Sequence, residues 1–286
     1  MSEKRITLYS AEESPFPQRV ALTLEEGNIP YDTISFELLD KPDWYKEKVY
    51  PIAQVPYLVY GGPKLQPGDA PSPSLPQLGE SLVILEFLAD AFPSARLLPS
   101  DPFLRAKARL FCRAVEEKYN PAFMGVFFKQ APKEDLYAAV EHIQGLLPPD
   151  SGFAVGGEWS IADAAFLPGY LRTLVILELD PALSRFAPGA AAEALAELRE
   201  APRFARMQRY LEESMARPSA KKTWDPVRSV LFGFGRGVLP RARREFTGDM
   251  MLTEVNLQVS VKAKIARRFD FFLAQAQQRE QQQQQD

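Results

Sequence analysis

Ser14 stands between an alternating segment, Arg5–Tyr9, and an apolar helical run that opens at Pro15, in the order Ser14-Pro15-Phe16-Pro17-Gln18-Arg19-Val20. A hydroxyl delivered to the start of a helix meets free N–H groups and the positive end of the macrodipole, surroundings that favour an anion. A thiolate brought there is stabilised, and the hydroxyl can donate a hydrogen bond to it. The plainer readings are a helix cap or a turn serine. With Pro17 at the third helical position, such a cap has only the Phe16 amide to accept from. Val55-Pro56 is a second point of interest. It lies in a β-prone run where proline cannot donate to a ladder, so it is either an edge or a cis turn. In the cis turn the Val55 backbone is free to pair with an extended peptide. Glu80-Ser81 opens an apolar helix whose start suits a carboxylate, while Glu80 suits an ammonium; a γ-glutamyl group carries both. The plainer reading there is a helix start with a favourable acidic residue.

The elements that must hold these residues are legible in outline. Arg5–Tyr9 and Tyr31–Phe36 read as strands, and the helix from Pro15 to Gly27 leaves room for a right-handed crossover between them. Lys41–Val49 is a short charged helical turn, and Gln54–Tyr60 a third extended run. Gly61–Gly79, rich in Pro, Gly and Ser, reads as a loop, which is thermodynamically cheap at roughly 0.6 kcal/mol per doubling of length. Ser81–Phe92 is a buried helix. Beyond the linker at Pro93–Pro99 the spacing turns wholly helical: Pro102–Tyr119, Lys133–Leu147, Ser160–Leu179, Ala190–Glu200 and Pro202–Met215. The expected organisation is an α/β segment over 1–92, a linker over 93–101, an all-helical segment over 102–216, and an extension over 217–286. That extension holds the glycine-rich Phe232–Gly237 stretch, an amphipathic helix expected over Glu254–Gln278 and a solvated glutamine run.

Composition narrows the chemistry. The chain has 286 residues, 46% hydrophobic and 25% charged, with a formal charge of -3. That balance gives no basic face for nucleic acid. One cysteine, Cys112, rules out an intrachain disulfide, and one histidine, His142, leaves almost no material for zinc or histidine catalysis. No metal is expected. The chain carries no apolar signal core and no run long enough to span a bilayer, so the expected location is the cytoplasm, away from membranes.

Taken in order, these elements resemble the thioredoxin-like N-terminal domain of glutathione transferases, and within them the omega class. The omega stretch Cys-Pro-Phe appears as Ser14-Pro15-Phe16, Lys-Pro-Glu-Trp as Lys41-Pro42-Asp43-Trp44, the Val-Pro turn as Val55-Pro56 and the Glu-Ser pair as Glu80-Ser81. Trp159-Ser160-Ile161-Ala162-Asp163 is similar to the capping box of the family's helical domain, with Ser160 accepting from the amide three residues on and Asp163 reaching back. The resemblance covers Ile6–Met215. It implies an α/β thioredoxin-like domain followed by an all-α domain. It also implies a homodimer, with glutathione as co-substrate touching Phe16, Lys41, Val55, Pro56, Glu80 and Ser81, and Lys41 near the glycyl carboxylate.

Where the family carries its cysteine this chain has Ser14, which cannot form a mixed disulfide. The resemblance therefore implies a transferase in which Ser14 stabilises the glutathione thiolate for attack on hydrophobic or aromatic electrophiles, with peroxide reduction alongside. Thiol-transferase and dehydroascorbate reductase activities are expected to be weak or absent. Tyr119, Phe123, Phe127 and Phe128 fall where the family lines its hydrophobic site, and Trp224 could fold over it; such aromatic spacing equally fits core packing. Two other functions fit the same features: a ligandin that holds aromatic compounds with little turnover, or a non-catalytic regulatory module.

Overall fold

The computed structural model of the chain describes residues 5–150, 152–179, 186, 189–226 and 229. Strand β1 (Ile6–Ser10) forms where the alternation predicts it, yet all five residues are buried. Its central place explains this. The sheet order is β2-β1-β3-β4, with β2 at Asp32–Ser35, β3 at Tyr57–Tyr60 and β4 at Gln77–Leu78. Strands covered on both faces lose the contrast between an inner and an outer side. β1 runs parallel to β2, with Tyr9 opposite Ile34, and antiparallel to β3, with Tyr9 opposite Tyr57. Helix α1 (Pro15–Glu26) makes the crossover from β1 to β2.

The two faces of the sheet are covered differently. Ile6, Leu8 and Leu58 point into a core that runs without a break into the helical part, reaching Phe111, Phe166 and Met207. Tyr9, Tyr57 and Val59 point the other way, into a smaller aromatic cluster with Ile34, Tyr45 and Leu65. A single π-helical turn, Tyr45–Val49, and the proline-rich stretch over 61–79 cover this second face. That stretch is not structureless: β4 lies within it, and Tyr60 donates to the Pro76 carbonyl at 3.0 Å. A two-residue strand among prolines has no periodicity to read. Gly62 turns the chain at φ 83°, and a Cβ there would lie 2.6 Å from Leu75.

The rest is helical: α2 (Ser81–Ala91), α3 (Pro102–Ala114), α4 (Asn120–Lys129), α5 (Lys133–Gln144), α6 (Ile161–Leu179), α7 (Ala190–Glu200), α8 (Ala205–Ala216) and α9 (Pro218–Thr223). The sequence reading ends the first long helix at Tyr119, but a π turn over Val115–Tyr119 carries it on into α4. Pro121 falls at the start of α4, where a missing N–H costs little. The capping box also differs in detail. Asp163 accepts from the Ser160 amide at 2.8 Å as expected, but the Ser160 hydroxyl accepts from Ala162 at 3.3 Å, one residue earlier than the motif predicts.

Helix α1 packs against α6, α9 and α2, so the loop that precedes it meets both parts of the chain. His142 is exposed on α5 and Cys112 buried on α3. Among the described residues no helix is long and apolar enough to cross a membrane. The Phe232–Gly237 stretch, three arginines whose sequence reads as a solvated face (Arg241, Arg243 and Arg244), the helix expected over Glu254–Gln278 and the glutamine run lie outside the described residues.

Candidate active site

Ser14 ends the turn that follows β1, its amide donating to the Ala11 carbonyl at 3.1 Å. Its backbone is extended, and its Oγ accepts from the Phe16 amide at 3.4 Å, so it caps α1. The cap reading of Ser14 does not exclude the donor reading. A cap uses a lone pair of the hydroxyl and leaves its proton free to donate. Ser14 keeps 4% of its surface.

What holds this loop is Arg172, from the middle of α6 and itself 3% exposed. Its Nε donates to the Glu13 carbonyl at 3.2 Å, and its Nη2 to the carbonyls of Glu12 at 2.9 Å and Ser14 at 3.1 Å. Its Nη1 donates to the Pro168 carbonyl at 2.9 Å and to Gln18 Oε1. Burial works against the charge, lowering the pKa to about 9, and the field of Glu13 works the other way; at neutral pH the group is a cation. Trp224 lies over the guanidinium, ring centroid 5.4 Å away. It arrives there on α9, which is tied to α1 where Glu26 accepts from Arg217 and Ser219, and Glu25 pairs with Lys222.

A second buried guanidinium, Arg19, stands one turn into α1 and is 2% exposed. It lies 4.9 Å from the Phe16 ring and donates from Nη1 to Ser81 Oγ at 3.1 Å and to Glu116 Oε1 at 2.7 Å. Asn120 also donates to Glu116, at 2.9 Å. Ser81 is therefore not turned out toward solvent, as its place at a helix start suggests. It is buried, with its lone pair taken by Arg19 and its proton available to a ligand. Glu80, by contrast, is exposed, and its backbone at φ 63°, ψ 107° lies in a sparsely populated region for a residue with a Cβ.

Ser14, Phe16, Arg19 and Ser81 thus form a connected group. The β1–β3 register sets Val55 and Pro56 just past the Tyr9–Tyr57 pair, at the same end of the sheet as Ser14, and the bond between them is cis. Lys41 is half-buried beyond β2 and makes no hydrogen bond among the described residues. Of the aromatic candidates, Tyr119 presents no surface to a ligand: it is fully enclosed, with its hydroxyl 2.6 Å from Thr173 Oγ1. Phe123, Phe127 and Phe128 form a cluster, with Phe123 at 5.0 Å from Phe127 and 6.1 Å from Phe128; Phe127 is buried and Phe128 exposed. Trp224 is the candidate brought beside the Ser14 loop, through Arg172. Among the described residues no group of three or more His, Cys, Asp or Glu side chains could hold a metal ion.

The sequence reading missed both arginines, although each leaves a trace. Arg172 is the single charged residue between Asp163 and Glu178, and Arg19 the single one between Pro15 and Leu24. A lone charge in an apolar helix must be solvated by something inside the fold.

Comparison with known proteins gives a consistent result. The family model described as Glutathione S-transferase, N-terminal domain, matches residues 8–96. Pyrimidodiazepine synthase of Drosophila melanogaster is 37% identical over 131 residues, 46% of this chain and 48% of that protein, so the chain spans about half the length of the curated relatives it matches. Among solved structures, glutathione transferase Omega 1C of Trametes versicolor is 38% identical with a TM-score of 0.76, covering 82% of this chain and 97% of that one. Omega 2S of the same organism, solved in complex with 2,4-dihydroxybenzophenone, is 37% identical with a TM-score of 0.71, covering 84% and 99%.

Proposed function

Because the chain belongs to the omega-class glutathione transferases, we propose that it binds glutathione with the sulfur at Ser14 and uses the thiolate to attack hydrophobic or aromatic electrophiles. The observation that carries this reading is the Ser14 hydroxyl itself, which caps α1 with a lone pair and keeps its proton to donate to sulfur. A free thiol has a pKa of about 8.5, so only a few per cent is ionised at neutral pH. Lowering it by about two units takes roughly 2.7 kcal/mol of preference for the thiolate. A charge-assisted hydrogen bond together with a helix terminus supplies that order of energy. The thiol proton leaves to water, the sulfur forms its bond to the electrophilic carbon, and the leaving group departs with the bonding pair. Peroxide reduction belongs to this reading: the thiolate attacks one peroxide oxygen, the O–O bond breaks and the other oxygen leaves as an alcohol, and a second glutathione thiol converts the resulting sulfenic acid to the disulfide and water.

The remaining contacts follow the chemistry of the tripeptide. The Ser81 hydroxyl donates to the γ-glutamyl carboxylate, and Glu80 pairs with the ammonium. The Val55 backbone at the Pro56 turn pairs with the peptide, Lys41 with the glycyl carboxylate, and Phe16 covers the thiol. Trp224 with Phe123, Phe127 and Phe128 makes the apolar surface for the second substrate. Two copies of the chain associate, in the cytoplasm. A second reading, tight holding of aromatic compounds with little turnover, is favoured by the benzophenone complex of a relative 37% identical and by how little of Ser14 is exposed.

Calorimetric titration with glutathione, followed by turnover of chlorodinitrobenzene, separates these readings. Ser14→Ala should lower kcat/KM about 10- to 100-fold at neutral pH by removing the sulfur's hydrogen bond. A variant with full activity and an unshifted bound-thiol pKa would remove Ser14 from the mechanism. Tight aromatic binding without conjugation would favour the second reading.

A further inference from the structure

We propose that Arg172 is a positioning residue for the reacting sulfur, holding the Ser14 loop in place and supplying the uncompensated positive charge in which the thiol ionises. The inference rests on the glutathione reading and deepens it. All five guanidinium N–H groups are accounted for, three on the consecutive carbonyls of Glu12, Glu13 and Ser14, one on Pro168 and one on Gln18. Three successive carbonyls turned toward one cation fix the loop that ends in the Ser14 hydroxyl. None of these partners is charged. Among the described residues no carboxylate forms an ion pair with Arg172, and Glu13, whose own oxygen accepts from the Leu38 amide, is the acidic group whose field it feels.

Carbonyl dipoles stabilise a cation without cancelling its charge, whereas an ion pair cancels it at any distance beyond the pair. The positive field of Arg172 therefore persists past Ser14, which its Nη2 reaches through the residue's own carbonyl at 3.1 Å. Trp224, above the guanidinium at 5.4 Å, and the α9 segment behind it keep water from screening that field. The Ser14 hydroxyl and the helix terminus hold the sulfur as an anion, and the field of Arg172 adds to how readily it ionises.

The test is the pKa of glutathione bound to the full-length protein, read from thiolate absorbance against pH in the wild type, Arg172→Lys and Arg172→Met. Arg172→Met should raise it by about one to two units, with turnover about 10- to 100-fold lower at neutral pH. Arg172→Lys keeps the charge and should hold the pKa within about half a unit, although it loses the fork. A purely structural role would give the opposite pattern: both variants loosen the loop and neither moves the thiol pKa. Arg172→Met binding glutathione with the wild-type thiol pKa overturns the inference and leaves the glutathione reading intact. No glutathione binding by the wild type overturns that reading instead.

A second variant keeps the question answerable if Arg172→Met does not fold. Ser14→Cys puts a thiol beside the intact cation, and the pH dependence of its alkylation needs no glutathione. Cys112, buried and with its thiol pushed up to about 12, stays silent in that assay. The expected result is alkylation of the introduced thiol with a pKa at least about one unit lower than in Ser14→Cys/Arg172→Gln, which shares the same helix terminus; an equal pKa in the two overturns the inference.

Discussion

Arg19 and Arg172 are both almost wholly buried, and they reach the candidate site from different helices, α1 and α6, yet their charges are handled in different ways. Arg19 is neutralised where it stands by Glu116, a carboxylate whose side chain is 39% exposed, and the Arg19 Nε finds no partner among the described residues. Burial lowers the pKa of Arg19, and Glu116 raises it again. Among the described residues Arg172 has no such anion and is solvated by backbone dipoles and one amide. The difference teaches that a buried cation can serve as a strut or as a field. Paired in place, as in Arg19, it positions Ser81 and projects little charge. Surrounded by carbonyls, as in Arg172, it does both.

The comparison predicts unequal costs of removal. Arg172→Met removes the donor from the buried Ser14 and Pro168 carbonyls and Gln18 Oε1 and from the part-buried Glu12 and Glu13 carbonyls, and each buried orphan costs about 1–3 kcal/mol. We expect a loss of about 3–5 kcal/mol and a melting temperature lower by on the order of 10 °C, measured by circular dichroism. Arg19→Met should cost less, about 1–2 kcal/mol, because water can reach the Glu116 carboxylate that it leaves behind. Its functional effect should also differ in kind. Ser81 loses its donor, so glutathione affinity should fall about tenfold by calorimetry, while the bound-thiol pKa stays at the wild-type value. Should Arg19→Met prove the costlier change, or move the thiol pKa, the distinction between strut and field is broken.

Much of this frame was legible and its key contacts were not, for one physical reason. β1, α1, β2 and the start of α6 are written in local patterns: alternation, a proline after a capping serine, a capping box. The Arg172 contacts with Glu12 and Ser14 join residues about 160 positions apart, and no local pattern encodes which carbonyls a lone arginine will meet. Tyr119 makes the same point from the other side. By spacing it belongs with Phe128, but Gly169 lies against its ring, where a Cβ would come within 3.2 Å. Tyr119 sinks into the core and Phe128 remains exposed.

Asp163 sharpens the comparison, since it is a buried charge of opposite sign on the same helix as Arg172. Where Arg172 is held by carbonyls, Asp163 is held by the amides of Ala154 at 2.7 Å and Ser160 at 2.8 Å and by the Ser160 hydroxyl at 3.2 Å. Burial raises its pKa from 3.8 to about 6, and those hydrogen bonds pull it back. The folded chain therefore holds this proton to higher pH than the unfolded one. Ionising Asp163 thus costs stability progressively as pH rises from about 4 to about 6, and the cost is complete above that range. Asp163→Asn cannot titrate, and above about pH 7, where Asp163 is ionised, it mispairs an amide in the cap for a loss of about 1 kcal/mol. The stability gap between wild type and Asp163→Asn should accordingly narrow from about pH 4 to about pH 6 and stay flat above about pH 7, in urea titrations at each pH. A gap that widens over the same interval would mean that three donors outweigh burial. Uncharged hydrogen-bond partners would then hold a buried charge at no net cost, and the same would apply to Arg172.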